Sequence, residues 1–229
     1  MSHLSHSPAS RVVGVLSTAD GLGKLDLAAR PPPCDLVELR LDRLPPGTAW
    51  QTQAGLLESR GLPVILTLRL ANEGGHWTRP DRERLPVFAE AAKVVSLLDV
   101  EFKSLIAHEV AALAKSEGKQ VIVSFHDFEK TPAYVELAAV AEEAQAFASI
   151  VKISTMAHTQ ADLAILEKLL AGGWQTPVCV MGMGPIGAAS RLTFASKGSC
   201  LTYGYLDQPS APGQWSAADL FARLRARPG

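Results

Sequence analysis

The chain has 229 residues, 47% hydrophobic and 20% charged, with 22 basic against 23 acidic side chains and a net charge of -1. A chain of this size buries roughly three quarters of its unfolded surface, so it needs neither disulfides nor a structural metal to fold. Balanced charge without a basic run excludes the electrostatic footprint of a nucleic-acid binder, and no window nears the ~18 unbroken apolar residues of a membrane span.

Residues 1–10, MSHLSHSPAS, lack the cationic start and apolar core of a signal peptide and are expected to form a flexible leader before a single domain over 11–229. Cys34, Cys179 and Cys200 form no CxxC pair. That pattern suggests neither a disulfide framework nor a zinc site, and it fits a reducing cytoplasm.

From Arg11 onward, apolar runs rich in Val, Ile and Leu alternate with segments of helical spacing. Eight strands are predicted: RVVGVLS from Arg11, DLVELRL from Asp35, PVILTLR from Pro63, VVSLLDVEF from Val94, KQVIVSFH from Lys119, ASIVKIS from Ala148, TPVCVMG from Thr176 and CLTYGY from Cys200. Thr48, Asp81, Thr131, Thr159 and Ser216 are N-cap types at helix entries, and Pro132 and Pro185 suit a first helical turn. Eight right-handed βα units predict a (β/α)₈ TIM barrel rather than an open doubly wound sheet, because polar and charged residues end many different strands.

In the second strand Glu38, Arg40 and Asp42 alternate and should leave one face of the pleat, toward the barrel interior. Buried charges are costly unless paired or used, so this face reads either as an ion-pair ladder or as a site. The third strand ends LRLANEGGHW, with Arg69 at its tip, Glu73 just beyond, and Gly74 and Gly75 permitting a sharp loop. SFHDF puts His126 at the fifth tip. Lys152, inside the apolar run SIVKIS, must either snorkel out or lose the stability of its ammonium to desolvation, and an amine that sheds its proton attacks carbonyl carbons. Gly182, Gly184 and Gly187 satisfy GxGxxG, but no acidic residue ends the next strand, so the loop reads as a helix entry with Arg191 available to a ligand anion. Ser210 and Gln214, after the eighth strand, can donate hydrogen bonds.

Taken in order, ELRLD, LRLANEGG, SFHDF followed by KTP, VKISTMA, MGPIGAASR and SAPGQ resemble type I 3-dehydroquinate dehydratase over about the whole chain. The resemblance implies a cofactor-free, metal-free, cytoplasmic homodimer of the shikimate pathway and aromatic amino acid biosynthesis. Its implied chemistry is dehydration of 3-dehydroquinate to 3-dehydroshikimate through a lysine Schiff base. It implies Lys152 as the imine-forming lysine, His126 as general acid/base, and Glu73 as the carboxylate that orients His126 and favours its imidazolium. Glu38, Arg40, Arg69, Arg191, Ser210 and Gln214 are implied in substrate binding, Arg191 on the carboxylate. Met181, Met183 and Tyr203 resemble the apolar wall, and Asp42, Asp99 and Glu101 read as supporting partners. The family's first-strand serine position falls to either Gly14 or Ser17, and phenylalanine is frequent where Tyr203 stands. Two rivals stay open: another class I Schiff-base aldolase, and a retired barrel that only binds a small acid.

Overall fold

A computed structural model describes residues 10–24, 32–209 and 214–226. Eight parallel strands form one sheet: β1 (Arg11–Leu16), β2 (Leu36–Arg40), β3 (Val64–Thr67), β4 (Leu97–Glu101), β5 (Gln120–Asp127), β6 (Ile150–Met156), β7 (Val178–Met183) and β8 (Leu201–Tyr205). Each of β1 to β7 pairs with its sequence neighbour, and β8 pairs with β1. Between β7 and β8 the ladder gives way to single bridges. Cys200 N–H donates to Val178 O (2.9 Å), and Ser199 Oγ accepts from Val180 N–H (3.1 Å) and donates to Leu201 O (3.0 Å). The sheet is thus a nearly closed barrel, and with the intervening helices the chain is a (β/α)₈ barrel.

Those helices are α1 (Ala19–Lys24), α2 (Trp50–Ser59), α3 (Leu85–Ala91), α4 (Ala107–Ser116), α5 (Tyr134–Ala144), α6 (Gln160–Leu170), the short α7 (Gly184–Gly187) and α8 (Ser190–Thr193), and α9 (Ala217–Arg225). None is long and apolar enough to cross a membrane. The strand sequences read as continuous apolar runs because both faces are buried. Val13, Leu36, Ile65, Leu97, Ile122, Ile150, Cys179 and Leu201 fill the barrel floor, while alternate residues such as Val12, Val37, Leu66, Leu98 and Val123 pack under the helices.

Several predicted details change. β2 stops at Arg40, and Asp42 sits in a 3₁₀ turn, Leu41–Arg43, rather than on the strand. Its carboxylate turns back to grip the Arg40 guanidinium (Nε–Oδ1 3.0 Å, Nη2–Oδ2 2.8 Å). Thr159 and Ser216 cap α6 and α9, accepting from Asp162 N–H and Asp219 N–H. Thr48 instead donates to Pro45 O one residue ahead of the Ala49 cap, and Thr131 bonds Thr155 and Met156 O across to β6. Pro132 precedes the Ala133 cap of α5, outside the first turn, whereas Pro185 lies at the start of α7 as expected. Of the expected leader only Ser10 falls among the described residues, and it is buried.

Candidate active site

Above the apolar floor, the inward positions of the strands turn polar at the C-terminal ends. In β2, β4 and β6 the alternation carries Glu38, Asp99, Glu101, Lys152 and Ser154 inward, all at most 4% exposed. Lys152 Nζ donates to Asp99 Oδ2 (2.7 Å), lies 3.7 Å from Glu38 Oε1, and sits 4.5 Å over the Tyr203 ring. Asp99 is therefore the lysine's direct partner, closer than its expected supporting role. Thr67 Oγ1 holds Glu38 Oε1 at 2.8 Å.

Arg69 sits just past the tip of β3 and is almost fully buried. Nη2 donates to Asp99 Oδ1 (2.7 Å), while Nη1 donates to Ser124 Oγ (2.7 Å) and lies 3.2 Å from Glu101 Oε1. Burial works against the Arg69 charge, but Asp99 and Glu101 outweigh it and hold the guanidinium more firmly protonated than usual. Burial likewise pushes Asp99 up, and the Arg69 and Lys152 charges reverse this, keeping its carboxyl well below the ordinary range. Sequence reading missed Ser124, a small polar residue one turn of the pleat below His126, which donates to Asp99 Oδ1 at 2.7 Å.

Glu73 reaches His126 because the chain reverses at once after it. Gly74 adopts φ 76°, and a side chain on Gly75 would overlap the carbonyl of Arg69, so Trp77 N–H can return to Arg69 O (3.1 Å). Glu73 Oε2 then accepts from the His126 backbone N–H (3.0 Å) and faces Nδ1 at 3.0 Å. The pairing matches expectation; the charge state does not. Burial, followed by the Arg69 and Lys152 cations, holds His126 well below its usual value, so the ring rests neutral. Burial pushes the Glu73 carboxyl up to about 7. Burial first, and then the Arg69 and Lys152 charges, oppose the imidazolium that the Glu73 carboxylate was expected to favour.

That upward shift makes a stability prediction. Unfolded, Glu73 releases its proton near 4.5; folded, it keeps it to about 7. Between those values the folded state binds the extra proton, so its contribution falls as pH rises through the window and stays low above it. The cost is on the order of 3 kcal/mol. Glu73→Gln, whose amide oxygen can accept the same N–H, should stabilise the protein more at pH 8 than at pH 5 in urea unfolding. Equal effects at both pH values would remove burial as the cause.

The remaining expected residues surround this centre. Arg191 lies in α8 beside β8, tied there by Thr202 Oγ1 donating to Arg191 O (2.8 Å). Among the described residues its buried Nη1 has no hydrogen-bond partner, nor has the Tyr203 hydroxyl. Burial lowers the Arg191 guanidinium to about 10 and raises the Tyr203 phenol well above its usual value. Met183 ends β7, and Met181 faces the interior one layer below. Gln214 stands next to Trp215, whose carbonyl accepts from Tyr205 N–H at the tip of β8 (3.1 Å). Ser210 lies outside the described residues. Because Val13 and Val15 face inward, Gly14 turns outward against Leu206 and Cys34, leaving Ser17 at the inner side of the tip. There its backbone N–H donates to Asp207 Oδ2 (2.9 Å).

The model of the type I 3-dehydroquinase family matches residues 18–227. The chain belongs to this family. It is a hydro-lyase of the type I 3-dehydroquinate dehydratase kind. The chain is 33% identical over 223 residues to the 3-dehydroquinate dehydratase of Methanocella arvoryzae, covering 95% of this chain and 96% of that one. It is 35% identical over 193 residues to the Methanothrix thermoacetophila enzyme, covering 83% and 81%. A crystal structure of the Clostridium difficile type I 3-dehydroquinate dehydratase, which carries covalently modified comenic acid, superposes with a TM-score of 0.81 at 25% identity, over 94% of this chain and 91% of that one. The Aquifex aeolicus 3-dehydroquinate dehydratase gives 0.78 at 27% identity, over 93% and 96%.

Proposed function

We propose that this dehydratase converts 3-dehydroquinate to 3-dehydroshikimate through an imine on Lys152, with His126 moving the protons and Glu73 orienting it. The observation that carries the reading is a buried amine, bonded to Asp99 at 2.7 Å, on the strand next to a histidine whose Nδ1 lies 3.0 Å from Glu73 Oε2. Nζ, once free of its proton, adds to the substrate ketone, and the carbinolamine loses water to give an iminium. The iminium draws electrons from the adjacent carbon. His126 takes that carbon's proton, the carbon–oxygen bond beyond it breaks, and His126 returns the proton to the departing hydroxyl. Water then hydrolyses the imine and restores Lys152, so the net change is loss of one water. No cofactor is invoked, because the protonated imine is itself the electron sink.

A neutral resting His126 suits this order: it is a base before it is an acid. Glu73 fixes the ring through Nδ1 and leaves Nε2 for the substrate. Arg191 is assigned to the substrate carboxylate, its unpaired Nη1 matching an anion's geometry. Glu38, Arg40, Arg69, Ser210 and Gln214 are assigned to the hydroxyls and ketone region, with Met183 and Tyr203 as the wall. The reading places the enzyme in the shikimate pathway, serving aromatic amino acid biosynthesis in the cytoplasm as a homodimer.

The aldolase and retired-barrel rivals are tested directly. The purified protein is mixed with 3-dehydroquinate, the ultraviolet absorbance of the conjugated product is followed, borohydride is added, and the adduct is located by peptide mass spectrometry. Product growth with a reduced adduct on Lys152 is expected. A folded sample yielding neither would discard the assignment.

A further inference from the structure

The charges at the barrel mouth continue outward through a residue that no substrate or imine role explains. Arg84 lies outside the barrel, in the 3₁₀ turn Asp81–Arg84 that enters α3, yet it is fully buried. All five of its N–H groups are used. Nη1 donates to Glu101 Oε2 (2.6 Å) and Leu68 O (2.6 Å), Nη2 to Ser104 Oγ (2.9 Å) and Asp81 Oδ1 (2.5 Å), and Nε to Asp81 Oδ1 (2.9 Å). Glu101 passes the contact inward: Oε1 accepts from Leu70 N–H (2.9 Å) and lies 3.2 Å from Arg69 Nη1. Arg69 in turn binds Asp99, and Asp99 binds Lys152. The series Asp81, Arg84, Glu101, Arg69, Asp99, Lys152 alternates in sign at every step.

We infer that Arg84 is a positioning residue for Lys152: by holding Glu101, it keeps Arg69 divided between Glu101 and Asp99, and so limits how strongly Asp99 retains the lysine's ammonium. The inference rests on the assignment of Lys152 as the imine-forming residue. Other groups also face Nζ: Glu38 from β2 at 3.7 Å, the Tyr203 ring from β8 at 4.5 Å, and, through longer-range charge interactions, His126 from β5 and Cys179 from β7. None of them touches Arg84, so its removal acts through the series alone.

The direction of the effect is fixed. Removing the Arg84 charge leaves Glu101 less compensated and draws Arg69 toward Glu101 and off Asp99. Both changes leave Asp99 freer to hold the ammonium, and in a dry interior they are weakly screened. Imine formation in Arg84→Met should therefore be about tenfold slower at neutral pH and regain its rate as pH rises. A role confined to anchoring α3 on β4 would lower stability and leave the pH profile where it was.

The test is the single-turnover rate of borohydride-trapped adduct formation with 3-dehydroquinate, measured across pH for wild type, Arg84→Met and Arg84→Lys, with urea unfolding of each. Val110→Ala, a destabilised core control in α4, alters no charged or hydrogen-bonding side chain. The expected result is a Met profile displaced upward, a Lys profile between Met and wild type because one charge remains, and an unmoved Val110→Ala profile. Coincident profiles for wild type and both Arg84 variants overturn the inference. So does an equal displacement in Val110→Ala. If Arg84→Met does not fold, Arg84→Gln takes its place, and coincidence of the Gln profile with wild type overturns the inference. A wild-type protein that traps nothing on Lys152 brings down the imine reading itself, a result distinguishable from any comparison of profiles.

Discussion

Lys152→Ala should give a folded barrel that neither dehydrates 3-dehydroquinate nor traps an adduct with borohydride. The side chain is 4% exposed and lies in the middle of β6, between strands that supply Ser124 and Cys179 as its register partners. Its loss removes the only group proposed to form a covalent bond to substrate, and with it the electron sink that makes the adjacent carbon acidic. Asp99 keeps Arg69 and Ser124, and Glu38 keeps Thr67, so the two carboxylates are not stranded. Circular dichroism should show the wild-type fold. Lys152→Met, which preserves length without the amine, should behave the same way. Undiminished turnover in either variant, or an adduct on another lysine, would end the assignment.

His126→Ala should lose turnover by about 10²–10⁴, the range typical of a positioned acid/base. Lys152 remains in place, so an imine should still be trapped, and it should accumulate because its onward proton transfer is slowed. The two variants thus fail at different stages, which separates nucleophile from proton carrier. Mass spectrometry of the borohydride-reduced protein during steady turnover reads this directly. A His126→Ala enzyme running at full rate would hand the proton transfer to another group, with Glu73 next in reach.

The barrel and the centre of the site are legible because they break local patterns that a packed strand obeys. Lys152 interrupts Ser-Ile-Val-Lys-Ile-Ser, and Asp99 and Glu101 interrupt Leu-Leu-Asp-Val-Glu, each at inward positions of the alternation. Asp42 shows the limit of that logic. Alternation places it on a strand face, but the Arg40 guanidinium and the His76 N–H gather its carboxylate into a turn. Arg84 is illegible for a different reason. In DRERLP it reads as a charged helix entry facing water, and only the convergence of Asp81, Glu101, Ser104 and the Leu68 carbonyl from separate segments buries it. Ser124 is too small and common to stand out beside His126. The upward shift of Glu73 follows from burial, and the downward shift of His126 from burial and then Arg69, neither of which short-range spacing contains.

The order of strands around the barrel has a consequence for synthesis of the chain. Strands β2 to β7 can each join a partner already made, but β1 keeps one edge open until β8 emerges. The clasp that finishes the join, Asp207 accepting from the N–H groups of Ser17 and Thr18 (2.9 and 2.7 Å), links residues about 190 positions apart. Nascent chains must therefore hold an unpaired apolar edge for most of their translation, the condition under which strands find wrong neighbours. Lys152 and His126 are already present by then, whereas Tyr203 and the strand that braces Arg191 arrive only with β8. A chain released before β8 would carry the lysine proposed as nucleophile in an unsealed sheet, so the pocket is finished only when β8 joins β1.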